Sequence, residues 1–423
     1  VKSRHTPEIR FAGFTGDWEQ HRFEKVLNKQ DGIRRGPFGS ALKKEFFVKD
    51  SDYAVYEQQN AIYDNYETRY NITKEKFEEL KNFQLSQGDF ILSGAGTIGR
   101  ISRVPKDIKQ GVFNQALIRF KIDENITDSE YFIQWIRSEN MQRKLTGANP
   151  GSAITNLLPM SEVKKWDVMV PSKNEQIKIG KFFKQLDDTI ALLQQELTTL
   201  KQTKQGFLQK MFPKEGESVP DVRFPGFTGD WEQRKLDSMV DRLKSYSLSR
   251  DVETNDYTGY KYIHYGDIHK KVADIIDESS NLPNIKAGNY ELLEKGDLVL
   301  ADASEDYQGI ATPAVITIDM PYKLVSGLHT IALRPKQVDS LFLYYLISSP
   351  IFRKYGYRVG TGMKVFGISV TNLLKFESIF PSLEEQTEIG NFFKQLDNTI
   401  ALHQRELDTL KETKKAFLQK MFI

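Results

Sequence analysis

The sequence predicts an α+β chain in which two mixed α/β domains stand in tandem, each followed by a long helix. Three observations predict it. The chain is written twice, the repeated ends carry a heptad pattern of apolar residues, and the stretches between them alternate strand-like and helical runs.

The repeat is seen first at the opening of each half. "PEIRFAGFTGDWEQ" begins at Pro7 and "PDVRFPGFTGDWEQ" at Pro220, an offset of 213. The second match runs from Pro171 to Phe212 and again from Pro381 to Phe422, an offset of 210, with 30 of the 42 aligned pairs identical. A unit of half the chain is far too long for a solenoid. It is a duplication of a whole domain plus its tail.

The bodies between these matches are much less alike. In the first, strand-like runs cover 89–93 and 116–122; in the second, 297–301, 314–318 and 330–334. Their shared skeleton is a Gly-Asp before an apolar strand, Gly88-Asp89 and Gly296-Asp297. Each body closes on a helical stretch, "DSEYFIQWIRSENMQRKL" and "DSLFLYYLISSPIFRKYG", and a glycine-rich loop, "GANPGS" and "GTGMKVFG". Near-identical tails with divergent bodies imply that the tails share one task and the bodies do not.

The tails read as helices. Apolar residues recur at alternating steps of four and three: Leu186, Ile190, Leu193, Leu197, Leu200 and Phe207 in the first. The second has Leu396, Ile400, His403, Leu407, Leu410 and Phe417, the histidine standing where the first copy has Leu193. This is the a/d seam of a coiled coil. Lys204 and Lys414 interrupt the two seams at matching positions. An apolar seam on a helix of about 38 residues, about 57 Å long, has to be covered, and the simplest cover is the other helix.

Composition sets few limits. The chain has 423 residues, 39% apolar and 27% charged, with a formal charge of +2. Without cysteine it has no disulfides, thiolate metal ligands or cysteine nucleophiles, as suits a reducing compartment. No apolar run approaches membrane-spanning length and no signal-peptide pattern is visible, so the expected location is cytoplasmic.

Candidate chemistry is sparse. Gly94, Gly96 and Gly99 match the spacing G-x-G-x-x-G, but "RISRVPKD" behind them alternates like a strand. A dinucleotide loop needs a helix there, so a glycine hairpin is expected instead. Asp302, Glu305 and Asp306 have no counterpart in the first body and read as solvated turn residues. His264 and His269 lie five apart rather than the four a helical metal pair prefers, so a loop or strand role is expected. P-loop, nucleophile-elbow, zinc-protease and adenine-methylase signatures are absent; "NPGS" at Asn149 does not match the last.

Binding signals are stronger. "GIRRGPFGSALKK" sets Arg34, Arg35, Lys43 and Lys44 around a Gly/Pro/Ser loop that a phosphate backbone could approach closely. Arg69, Arg100, Arg103 and Lys144 add charge on other loops. In the second body Lys261, Lys270 and Lys271 interleave with Tyr260, Tyr262 and Tyr265, with Lys244, Arg358 and Lys364 elsewhere. Cations among aromatics suit nucleic acid. Two divergent readers on one scaffold are what a bipartite DNA target requires. The rival reading is a non-catalytic protein-interaction scaffold with two divergent binding domains.

Taken together, "FTGDWEQ" at the head of each half, "GPFGSALKK", "GDFILSGAGTIGR", "GYKYIHYGDI", "GDLVL" and the "EQ…IG.FF.QLD..IAL" tails resemble the specificity subunit of type I restriction–modification systems over the whole length. The resemblance implies target recognition domains at 1–170 and 213–380. It makes 171–212 and 381–423 spacer and docking helices, forming an antiparallel coiled coil with pseudo-twofold symmetry. Each recognition domain would read one half of a split, asymmetric site in double-stranded DNA. Ser40, Thr97, Tyr246, His264 and Gln308 join the cations above as candidate DNA contacts. The partners implied are two modification subunits, which methylate adenine with S-adenosylmethionine, and restriction/translocase subunits using ATP and Mg. The chain itself would hold no metal or cofactor, catalyse nothing and meet no membrane.

Overall fold

The computed structural model describes residues 5–146, 160–362 and 364–423. The sequence motifs at 147–152 and Asn149 lie outside the described residues. The chain forms two compact units, Val1–Gln194 with Arg405–Ile423 and Gln195–Gln404. The boundaries fall inside the tails, so each long helix contributes one part to each unit.

Unit 1 holds an antiparallel four-stranded sheet in the order Ile33–Arg35, Leu117–Phe120, Phe90–Ser93, Ile101–Arg103. A second sheet runs Phe47–Val48, Tyr70–Ile72, Tyr53–Tyr56, Gly111–Phe113, its last pair parallel. Unit 2 repeats this plan with a different sequence. Its first sheet runs Val240–Leu243, Thr330–Pro335, Leu298–Ala301, Pro313–Ile316, Ile275–Ile276, and its second Glu253–Thr254, Asn284–Ile285, Tyr260–Ile263, Lys323–Ser326. The shared Gly-Asp has a local cause. Gly88 and Gly296 turn the chain at φ +85° and +93°, and the following carboxylate accepts from the backbone N–H three residues earlier, Ser86 or Glu294.

Each body closes on two helices rather than one, Ser129–Arg137 with Glu139–Thr146 and Ser340–Ser348 with Pro350–Val359. Asp128 and Asp339 cap the first of each pair through their side chains. These helices bury Phe132 and Trp135 in unit 1, and Phe342 and Tyr345 in unit 2. The tryptophan of each "GDWEQ", Trp18 or Trp231, lies in the same cores.

The tails are helices of 38 residues each, Lys173–Lys210 and Leu383–Lys420. In unit 1 Phe182 packs edge-on against Phe417 at 5.1 Å and Asp187 pairs with Lys414. In unit 2 Phe207 packs edge-on against Phe392 at 5.1 Å and Lys204 pairs with Asp397. In each unit partner numbers fall along one helix as they rise along the other, so the helices run antiparallel. Leu197 and Leu407 are buried. Leu186, Ile190, Leu193, Leu200, Phe207, Leu396, Ile400, His403, Leu410 and Phe417 are half-buried.

Three letters of the repeated tail motif have the same structural task in both copies. Glu175 and Glu385 are buried and each takes a bidentate bond from an arginine in the opening repeat, Arg10 or Arg223, at 2.6 and 2.7 Å. Gln176 and Gln386 accept from the backbone of the body-helix caps Asp128 and Asp339, at 2.9 Å in both. Gly180 and Gly390 let a body helix approach: a Cβ on either would stand 2.6 Å from the Tyr131 nitrogen or 2.8 Å from the Leu341 Cβ.

Candidate nucleic-acid interface

In unit 1 the first sheet gathers three loops at one end. Arg35 faces Ile118, Ser93 faces Leu117 and Leu92 faces Ile101, so one end of the sheet carries the loops 36–44, 94–100 and 114–116. They are closely fitted. The Gly36 N–H donates to the Leu117 carbonyl and the Gly94 N–H to that of Ala116, at 3.0 and 2.7 Å. A Cβ at Gly36 would lie 1.9 Å from the Asn114 oxygen.

The glycine loop is a hairpin, with Phe90–Ser93 and Ile101–Arg103 antiparallel and no helix behind it. Positive φ explains Gly96 and Gly99, at +64° and +88°. Gly94 is there for space, since its Cβ would meet Ile118 at 3.1 Å. The Ser93 hydroxyl donates to the Thr97 carbonyl at 2.5 Å and the Gln142 amide to that of Gly99 at 2.9 Å, which pins the loop. Ser40, Thr97 and Arg100 are exposed on these loops, and Arg35 is exposed at the strand end beside them, its Nε donating to the Gln115 carbonyl at 3.4 Å. Phe38 stands among them 88% exposed, an aromatic the charge pattern missed.

Several candidates are paired with groups of their own unit. Arg34 donates to Asp31 at 2.9 and 3.0 Å, beside the buried Arg119. Arg103 binds Glu130 at 2.7 Å, and Arg69 binds Glu57 at 2.9 Å while remaining largely exposed. Lys144 donates to the Asp167 carbonyl at 2.5 Å, and partial burial lowers its pKa. Lys43 pairs loosely with Glu45 at 3.6 Å, and Lys44 is exposed.

In unit 2 the matching sheet end gathers 244–249, 302–309, 327–329, 361–362 and 364–367. Leu243 faces Ala332 and Ala301 faces Thr330. Leu328 donates to the Leu248 carbonyl at 3.2 Å, and Ala303–Ser304 pairs with Phe366–Gly367. Lys244, Gln308 and Lys364 are exposed here. The Lys244 ammonium lies 5.0 Å from the ring of Tyr246, whose hydroxyl accepts from the Glu291 N–H at 2.7 Å. The tertiary fold adds His329 beside Tyr265 and Tyr307 against Phe366, with ring centroids 5.3 and 3.9 Å apart.

The tyrosine–lysine interleaving needs correcting. Tyr262 is fully buried and its hydroxyl donates to Glu253 at 2.8 Å. His269 ends the short helix Tyr265–His269 rather than lying in a loop or strand, whereas His264 takes the expected loop position and caps that helix, its Nδ1 accepting from Gly266 at 3.0 Å. Burial first, and Arg250 second, lower its pKa. Lys261 donates to the Leu282 carbonyl at 2.7 Å and, with the exposed Lys270, lines a separate cleft of about 660 Å³. Lys271 pairs with Asp274 at 3.2 Å. Alternation on a strand put one face of this segment into the core. Asp302 faces His329 at 3.1 Å and Asp306 caps a turn through Gly309. Among the described residues no group of three or more histidines and carboxylates could hold a metal, and no helix is long and apolar enough to cross a membrane.

Two bodies of one plan thus present different loops at the same sheet end, on helices that repeat. The chain belongs to the type I restriction modification DNA specificity domain family, whose model matches residues 37–202 and 228–412. It is a specificity subunit, the non-catalytic recognition component of such a system. It is 23% identical over 322 residues to the type I restriction enzyme MjaVIII specificity subunit of Methanocaldococcus jannaschii, covering 73% of each chain. Its fold is similar to the crystal structure of a type I restriction–modification S subunit from M. genitalium, with a TM-score of 0.60, 15% identity and 99% of each chain covered. It is also similar to a chain from a structural study of complex assembly and conformational transition in the type I system, with a TM-score of 0.55 and 16% identity over 95% of this chain and 96% of that one.

Proposed function

We propose that this chain reads a bipartite, asymmetric DNA target, one half-site per body, and directs adenine methylation and restriction by partner subunits. The observation that carries this reading is the contrast within each unit. Loops at the sheet end differ entirely between the copies, whereas exposed residues of the opening repeat, Thr15, Gly16, Asp17 and Glu19, recur as Thr228, Gly229, Asp230 and Glu232. Different loops suit different base sequences. An identical surface shown twice suits two copies of one partner, the modification subunit. That partner would bring S-adenosylmethionine, and the restriction subunits ATP and Mg; this chain brings no cofactor.

The test is genome-wide adenine methylation, read by single-molecule sequencing after co-expression with the modification subunit. Methylation confined to one split motif with a fixed gap is the expected result. A stable complex that methylates no such motif would overturn the reading in favour of a protein scaffold.

A finer check uses neighbouring arginines. Arg35→Ala in the assembled complex should weaken binding across sequences and lower the log–log salt slope by about one. Arg34→Ala should leave the slope unchanged, because that guanidinium is held by Asp31. Fluorescence anisotropy across a salt series reads both, and equal slopes for the two variants would refute the assignment.

A further inference from the structure

The two bodies share one backbone feature at the sheet end and put different chemistry on it. In unit 1 Ser93 faces Leu117, and beyond that pair the Gly94 N–H donates to the Ala116 carbonyl at 2.7 Å. In unit 2 Ala301 faces Thr330, and beyond that pair the Asp302 N–H donates to the His329 carbonyl at 3.0 Å. Gly94 therefore corresponds to Asp302, and Ala116 to His329. One body leaves the spot bare; the other fills it with a carboxylate and an imidazole.

The unit 2 pair is held from several sides. The His329 Nδ1 lies 3.1 Å from an Asp302 oxygen. The Tyr265 ring stands edge-on to the His329 ring, with centroids 5.3 Å apart. From the same short helix His269 donates through Nε2 to the Ala303 carbonyl at 2.8 Å, which fixes the chain beside Asp302. His329 sits at φ +54°, in the left-handed region that residues other than glycine seldom take. Such a conformation persists only where its surroundings impose it, and it recurs where a side chain is aimed for use. The His329 side chain is 51% exposed.

A carboxylate only accepts, so in neutral His329 the proton sits on Nδ1 and Nε2 carries the lone pair. An acceptor fixed in this way suits a donor on a base edge. In the major groove those donors are the amino groups, N6 of adenine and N4 of cytosine. We propose that His329 is a specificity-determining residue of unit 2, its Nε2 accepting from the amino group of one adenine or cytosine, and that Asp302 is the positioning residue that fixes its tautomer. This rests on the DNA reading above. Unit 1, with Gly94 and Ala116 at the same spot, has no such group to offer its half-site.

The test compares the methylated motif of the wild-type complex with those of variants co-expressed with the modification subunit in the same way. His329→Gly removes the imidazole and suits the left-handed backbone, so the melting temperature should not fall. One position of one half-site should lose its preference, with methylation at sites carrying guanine or thymine there rising roughly tenfold. The other half-site should stay the same. Asp302→Asn should relax the same position, because an amide can donate to Nδ1 and leave the proton on Nε2. His329→Lys, which only donates, should turn the preference there toward guanine or thymine. A motif left unchanged by His329→Gly overturns the inference while the DNA reading stands; weaker binding with that unchanged motif would make His329 a phosphate contact. No split motif from the wild type overturns the DNA reading, and this contact with it.

Discussion

Gly180→Ala is expected to destabilise the protein by about 2 kcal/mol, whereas Gly206→Ala in the same helix is expected to stabilise it by up to about 1 kcal/mol. Helix propensity alone favours alanine at both sites, by about 1 kcal/mol. The difference is what a Cβ would meet. At Gly180 it would stand 2.6 Å from the Tyr131 nitrogen and 2.7 Å from the Asp128 carboxylate, at the capped start of the body helix. Backbone cannot yield as a flexible side chain does, and overpacking costs about 1–3 kcal/mol. At Gly206 nothing lies within 4 Å, and the second copy carries Ala416 at the matching position. Thermal unfolding of the two variants reads the result. Shifts of the same sign would mean that close approach does not explain Gly180.

Arg10→Met is expected to cost about 3 kcal/mol, near the lower end for breaking a buried ion pair. The Glu175 side chain is 1% exposed and takes both its charge-assisted bonds from this one guanidinium. Removing the arginine leaves a buried carboxylate without its ionic partner. For a unit of this size that is a fall of about 6–12 °C in melting temperature. The double variant Arg10→Met/Glu175→Gln should recover more than half of the loss, because the stranded charge goes with it. A double-mutant coupling below about 1 kcal/mol would show that Arg10 acts by packing alone. Arg223 and Glu385 repeat the clamp in unit 2, where the same pair of variants is expected to behave alike.

These tasks explain why the repeated motifs were legible as motifs but not as chemistry. "EQ…IG" recurs with its spacing intact, so its importance could be read without a fold. That Glu175 clamps Arg10, that Gln176 bridges to Asp128 and that Gly180 admits a body helix could not, because each partner lies far off in sequence. The DNA-facing residues divide the same way. Charge and glycine content pointed to the loops around Arg35 and Thr97. They could not say that Arg34, one residue away, is taken by Asp31, nor that Tyr262 and His264 serve the core and a helix cap.

By itself the sequence determined the duplication, the two long helices and their apolar seams, the hairpin at Gly94–Gly99 and the resemblance to a family. All of these rest on local period or on identity between segments, which survive in one dimension. Only the tertiary structure decided which cations remain free, which glycines make room and which three loops meet at one sheet end. Arg34 and Asp31 are three residues apart and Arg35 and Gln115 eighty, and at either range pairing is settled by packing and burial rather than by local period.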